Sequence, residues 1–342
     1  MNIQNIIKNT QTFAAIGLWA VLLFCFTTSP LYSQNKEDLE QLIRESKTRA
    51  ALVQNVQKAV VHIKVEKILR DSQGQPLNNP YDLYNEEFFK RFFPGIKPPE
   101  RQPGQPFRQE GMGSGTIISQ EGYILTNHHV VGEADQILVK LYDGKEVRAK
   151  IVGTDPESDI AVIKIEGDGY SALTIGNSKE LMVGESVIAV GNPFGLTQTV
   201  TYGIVSAKGR TNVGINEYEN FIQTDASINR GNSGGALLDA KGRLIGINTA
   251  IISQTGASIG IGLAIPVNMV KNVLNDLVKG GGLKRGFLGV ILDDAPDPSV
   301  QGAIVDRVEA DSPADQAGIK SRDIIVNAGG KPVTSVNQLR VA

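Results

Sequence analysis

From residue 115 to residue 266 the chain sets short β-branched and apolar runs between glycine, asparagine and aspartate: "GTIIS", "GYILT", "QILVKLY", "VRAKIVG", "DIAVIKI", "ESVIAVG", "TVTYGIVSA", "RLIGINTAI" and "GIGLAIP". Many short strands separated by turn signals predict a barrel or a sandwich. "AVVHIKVE", Ala59 to Glu66, predicts the first strand, with His62 as a structural residue inside it. Ahead of that strand, apolar positions at Leu39, Leu42, Ile43, Ala50, Ala51, Val53 and Val56 predict an amphipathic helical segment over 34–58. "PVNMVKNVLNDLVKGGG" predicts a second helix, which three glycines stop, and so closes a domain over 59–280. A linker at 281–285 leads into a small β-rich module over 286–342, whose last stretch, "TSVNQLRVA", begins as a helix capped by Thr334 or Ser335.

Two segments break the pattern. Residues 69–110 hold seven of the 15 prolines and few β-branched residues. That is longer than the roughly 12 to 15 residues usual for a structureless connection, so the loop at 67–110 is either functional or disordered. Phe88, Phe89, Phe92 and Phe93 lie on one face of a short predicted helix inside it. At the amino terminus, Lys8 is the only charge before Asn35, and "FAAIGLWAVLLFCF", Phe13 to Phe26, is an unbroken apolar run. Residues 1–33 therefore read as a signal peptide cleaved after Ser33, or as a membrane anchor, although the run is short of the roughly 20 residues a spanning helix needs.

Composition narrows the class. With 342 residues, 41% hydrophobic, 20% charged and a net charge of -2, the chain is long enough for about two globular domains, and nothing in the balance points to nucleic acid. The only cysteine, Cys25, lies in the apolar amino-terminal run, so a mature protein has no disulfide. Export without disulfides suits a periplasm or cell envelope.

The candidate chemistry centres on "TDASINRGNSGGAL", Thr224 to Leu237. Gly231 to Gly235 satisfies the G-x-S-x-G elbow of α/β-hydrolases, whose acid and histidine follow the serine. It also resembles the G-D-S-G-G of trypsin-like proteases, in which they precede it. His62, His128 and His129 are the only histidines and all precede Ser233, which excludes the first reading. A serine hydroxyl needs an adjacent base, itself oriented by a third group. "YILTNHHVVG" resembles the strand and turn of trypsin-like enzymes that end in the catalytic histidine, and this alignment selects His129 over His128. Of the six aspartates between His129 and Ser233, Asp143, Asp155 and Asp168 precede glycine or proline at turns, whereas Asp159 opens the apolar strand "IAVIKI". A buried carboxylate there requires a partner. The candidate catalytic set is therefore His129, Asp159 and Ser233, with Gly231, Asn232 and Ser233 as the expected oxyanion hole. No metal and no cofactor is called for.

"TNHHVV", "SDIAVIKI", "GNPFGL" and "TDASINRGNSGGAL", in that order, resemble the HtrA/Deg family of bacterial trypsin-like serine proteases, over about residues 59–342. The resemblance implies a mostly β, chymotrypsin-like double six-stranded barrel with peripheral helices. It also implies an ATP-independent endopeptidase for unfolded proteins, often a chaperone as well, assembled as a homotrimer or larger cage. Residues 67–110 would be its regulatory loop. Asn232 stands where digestive relatives use an aspartate to bind a new amino terminus, so activation should depend on ordering the loops around Arg230 and Gly231 and at Lys208 to Glu219. Ser227, six residues before the nucleophile, stands where basic-specific enzymes carry aspartate. With Ile228, Ile247, Asn248, Thr249 and Ile261 it implies a small neutral pocket.

"RGFLGV", Arg285, Gly286, Phe287, Leu288, Gly289 and Val290, resembles the carboxylate-binding loop and first strand of a PDZ domain, an α+β module that takes peptide C-termini. The chain ends inside the helix that should form the other wall of that groove, so the expectation is a partial PDZ domain. Two other readings remain for the whole: a membrane-tethered signalling protease making one regulatory cut, and a binding scaffold with a silent site.

Overall fold

Alternation along single strands explains how one chain builds two barrels and the layer between them. In β7, Ser186–Gly191, Val187 and Ala189 join a core inside one barrel, while Ile188 and Val190 join the larger core that both barrels share. Successive side chains on a strand point to opposite faces. A strand apolar on both faces is therefore what a sheet buried from both sides requires.

The computed structural model describes residues 36–70, 108–193, 195, 198–251, 258–279, 285–293 and 300–341. The expected signal or anchor at 1–33, Cys25, the four phenylalanines of the long loop and most of the 281–285 linker lie outside them.

The first barrel contains β1, Val60–Ile68, β2, Arg108–Ile117, β3, Tyr123–Thr126, β4, Gln136–Lys140, β5, Glu146–Asp155, and β6, Ile160–Ile165. All pairings are antiparallel, in the order β1-β2-β3-β6-β5-β4, and β1 closes on β4. The second barrel contains β7, β8, Thr199–Arg210, β9, Phe221–Thr224, β10, Ala236–Asp239, β11, Leu244–Ile251, and β12, Gly262–Pro266. Its order is β10-β11-β12-β9-β8-β7, closed by β10 on β7. This is the chymotrypsin-like double barrel that the resemblance implies. Each fully buried isoleucine or leucine, such as Ile124, Leu125, Ile163, Leu237 and Leu238, contributes roughly 1.5–3 kcal/mol.

The chain divides into two compact units, 1–51 and 52–342. Helix α1, Lys36–Val56, carries Glu37 and Asp38 in its first turn, where they complement the helix dipole, and its Leu39, Leu42 and Ile43 are exposed. In the larger unit, Val56 is buried and Leu52 lies over Gly242 in the β10–β11 turn. A one-turn helix, α2, His128–Val131, follows β3. Helix α3, Val267–Val278, buries Val267, Val270, Val273 and Leu277, and Leu277 lies against Gly153 of β5.

The carboxy-terminal part is α+β. It pairs β13, Val290–Leu292, with β14, Ala303–Val308, and β14 with β15, Ile324–Ile325; a hairpin follows from β16, Asn327–Ala328, and β17, Lys331–Pro332. Helix α4, Pro313–Gln316, is capped by Ser312, whose hydroxyl accepts from the Asp315 amide at 3.2 Å. Helix α5, Val336–Val341, starts where Ser335 accepts from the Gln338 amide. Its core is small: Ala303, Val333 and Val336 are buried, with Leu292, Ile325, Ala328 and Leu339 partly so.

Candidate active site

Strand pairing brings the histidine and the aspartate together. β3 pairs with β6 in the register Thr126 to Ala161, so the residues after one strand and before the other share one end of the first barrel. The segment after β3 is a helical turn, in which the His128 amide donates to the Asp159 carbonyl at 3.3 Å. His129 Nδ1 lies 2.8 Å from Asp159 Oδ2, and the His129 amide donates to Oδ1 at 2.9 Å. An ionised carboxylate only accepts, so Nδ1 is the donor of this pair.

Asp159 is the best-connected group in the site. The Thr249 hydroxyl donates to its Oδ2 at 2.8 Å, and Asn127 Nδ2 donates to its carbonyl at 3.1 Å and to Thr249 Oγ1 at 3.2 Å. Its φ of 58° lies in the left-handed region, where a non-glycine residue is strained by about 1–2 kcal/mol. Burial pushes its pKa up, but the His129 charge and the hydrogen bonds from His129 and Thr249 outweigh burial and hold the carboxyl below its ordinary value.

Ser233 sits between β9 and β10. Its hydroxyl donates to the Thr249 carbonyl at 3.1 Å, so Thr249 touches Asp159 with its side chain and Ser233 with its backbone. Gly231 has a φ of 85°, and a Cβ there would lie 2.4 Å from the Pro193 Cα, so only glycine fits. Among the described residues, neither the Gly231 nor the Ser233 amide has an acceptor. The Asn232 amide is different, because it donates to the Asn229 carbonyl at 3.0 Å. The Asn232 side chain is buried against Gly191, and its Oδ1 has no partner among the described residues.

The other expected site residues have varied surroundings. Ser227 is half-buried, with its carbonyl accepting from Thr201 Oγ1 at 2.8 Å. Ile228 belongs to the inner core of the second barrel, and Ile247 to the shared core. Asn248 turns inward, donating to the Ala236 carbonyl at 3.1 Å. Ile261, just before β12, is half-buried. His128 is half-buried over Gly132, and burial lowers its pKa.

In the "RGFLGV" loop, Gly286 is exposed, as are Phe287 and Leu288, while Gly289 has a φ of 81° and leads into Val290. The Leu288 carbonyl accepts from Ala314. Arg285 points elsewhere. Its Nη2 donates to Asp155 Oδ2 at 2.6 Å, its Nη1 lies 2.5 Å from Glu157 Oε2, and its guanidinium covers the Tyr218 ring at 4.3 Å. The same turn before Asp159 receives the Lys208 to Glu219 loop: the Tyr218 amide donates to Glu157, and Asn216 Nδ2 to the Ser158 carbonyl. Buried Glu219 shapes that loop by accepting from the Val213, Ile215 and Asn216 amides.

Sequence reasoning missed the hydroxyl role of Thr249, the bracing by Asn127 and the Arg285–Asp155 pair. Only Asn127 had a local signal, an amide residue at the start of a helical turn. Among the described residues, no three His, Cys, Asp or Glu side chains cluster closely enough to hold a metal.

Comparison with known proteins gives matches to the trypsin-like peptidase domain over 113–247 and to the PDZ domain over 304–340. The "Probable periplasmic serine endoprotease DegP-like" of Chlamydia trachomatis is 49% identical, over 77% of this chain and 54% of the relative. The "Periplasmic pH-dependent serine endoprotease DegQ" of Escherichia coli is 46% identical, over 97% of this chain and 72% of the relative. A solved structure, "HtrA-type protease AlgW with decapeptide", is similar at 39% identity and a TM-score of 0.67, over 85% of this chain and 89% of that one. The chain spans about half the length of the chlamydial relatives it matches.

Proposed function

Because the chain belongs to the HtrA/Deg family of trypsin-like serine proteases, we propose that it is an ATP-independent serine endopeptidase of the cell envelope that degrades unfolded or damaged proteins. Ser233 attacks the scissile carbonyl, and His129 Nε2 takes the hydroxyl proton. Asp159 holds the imidazole tautomer and stabilises its cation, and the Gly231 and Ser233 amides bind the oxyanion. His129 then gives the proton to the leaving amine, and water hydrolyses the acyl-enzyme. At rest the Ser233 proton points at the Thr249 carbonyl, so substrate binding must turn it to His129, a tightening common to uncomplexed proteases.

The observation that carries this reading is Thr249, which bonds both Asp159 and Ser233 while Asp159 bonds His129. Ser227 at the pocket position supports small neutral P1 residues. The exposed Phe287 and Leu288 support a peptide C-terminus as ligand of the PDZ module. The family further supports chaperone activity and a homotrimer or larger cage. Export, with a cleaved signal or a retained membrane tether, rests on residues 1–33.

Casein hydrolysis by the protein and by its Ser233→Ala variant tests the assignment. The variant should lose about a millionfold in kcat. Equal rates would sink it.

A further inference from the structure

We infer that Ser114, on β2 of the first barrel, is a positioning residue for the oxyanion hole of the second. The inference rests on the protease reading above. Ser114 is fully buried, and its hydroxyl and amide both bond this loop or its support. Its hydroxyl donates to the Gly231 carbonyl at 2.6 Å and accepts from the Asn192 amide at 2.8 Å. Its amide donates to the Ser233 carbonyl at 2.8 Å, and its carbonyl accepts from Thr126 Oγ1 at 2.8 Å. Two residues further along β2, Thr116 Oγ1 donates to the Gly234 carbonyl at 3.4 Å.

The consequence follows from peptide geometry. Three carbonyls of the nucleophile turn, those of Gly231, Ser233 and Gly234, are held by β2. A planar peptide joins each carbonyl to the amide of the next residue, so the pinned 231–232 and 233–234 planes flank the 232–233 plane that carries the Ser233 amide, and the 231–232 plane adjoins the one that carries the Gly231 amide. Gly231 has no Cβ to restrict its φ and ψ, so its orientation must come from outside. Ser114 supplies that constraint from the carbonyl side, on the plane next to the one that carries the Gly231 amide, and among the described residues the amides of 231 and 233 have no competing acceptor.

The constraint reaches further back. Asn192, which donates to Ser114, has its own carbonyl held by His62 Nδ1 at 2.8 Å. Pro193, the next residue, packs directly on Gly231. Ser114 thus links the Asn192–Pro193 support and the Gly231 turn through one hydroxyl. Removing that hydroxyl leaves a buried donor and a buried acceptor unpaired and frees the turn to relax toward other orientations.

The experiment compares the full chain with Ser114→Ala and with Ser114→Cys, whose thiol fills the site but bonds weakly. All rates are expressed per site titrated with a fluorophosphonate, so that misfolded protein does not count. For Ser114→Ala, kcat on a peptide substrate should fall about 10- to 100-fold, less than loss of an oxyanion donor itself, with KM within about threefold. Affinity for a peptide aldehyde, whose tetrahedral adduct places an oxyanion in the hole, should fall by the same factor. Ser114→Cys should fall in the same direction by less. Rates per titrated site and aldehyde affinities within about threefold of the parent in both variants would overturn the inference and leave Ser114 a packing residue. A parent protein that neither labels nor turns over would instead overturn the protease reading.

Discussion

Thr249 donates its hydroxyl to Asp159 Oδ2 at 2.8 Å across the junction of the two barrels. The bond places a residue of β11 in direct support of an acid that precedes β6, and the Thr249 carbonyl, 3.1 Å from Ser233 Oγ, extends that support to the nucleophile. Replacing Thr249 by valine keeps the volume and removes the hydroxyl. Since hydrogen bonds to charged groups contribute about 1.5–3 kcal/mol, we expect kcat to fall about tenfold and urea unfolding to shift by about 2 kcal/mol, with Thr249→Ser close to the parent in both.

Asp159→Asn should keep the barrel and lose about 10⁴ in kcat, because an amide that donates toward Nδ1 selects the wrong imidazole tautomer. Steady-state kinetics beside a circular dichroism spectrum checks both halves. The acid's lowered pKa has a second consequence. Its stabilising contribution is fully present above the ordinary carboxyl value and is lost as pH falls through the lowered native value, so Asp159 should not contribute to any change between pH 8 and pH 5.

Mild acid should act through two other residues. Burial lowers the pKa of both His62 and His128 below the ordinary imidazole value of about 6.5. The unfolded chain then binds more protons than the native one just below pH 6.5, so stability is unaffected above that value and declines as pH falls toward the native pKa. Urea unfolding at pH 7.5, 6.5 and 5.5 should show that decline, and a His62→Gln, His128→Gln double variant should show less of it.

Arg285→Ala should destabilise the chain by about 2 kcal/mol. Asp155 is 1% exposed and, among the described residues, would be left with the Ser158 hydroxyl as the side-chain hydrogen-bond partner of its carboxylate. The loss is smaller than for a fully buried pair because the guanidinium is partly solvated. Arg285→Lys should recover only part, since a point charge cannot reach Asp155 and Glu157 while stacking on Tyr218. Thermal unfolding of the three proteins distinguishes these outcomes.

What could be read in advance depended on how local its cause was. Most strands were legible because they announce themselves by β-branched runs between glycine and aspartate turns, and "IAVIKI" reads as doubly buried without knowledge of its neighbours. The four-residue strands β9, "FIQT", and β10, "ALLD", were not read, and the choice of barrel over sandwich came from the family resemblance. Asp159 stood out because a charge opening such a strand needs a partner. Thr249 and Ser114 gave no such sign, since their bonds follow from which strands face each other, a property of the closed barrels. Asp155 was hidden for the opposite reason. Its aspartate-proline turn already explained it locally, while its partner Arg285 lies 130 residues away and looked like part of a peptide-binding loop.

The central claim is that Ser233 is a nucleophile activated by His129. Its most direct measurement is the mass of the protein after a fluorophosphonate treatment, with the modified peptide sequenced, in the parent and in His129→Ala. The account predicts one adduct, on Ser233, in the parent and almost none in the variant over the same interval. An unmodified parent that still cleaves casein, or equal labelling of both proteins, would contradict it.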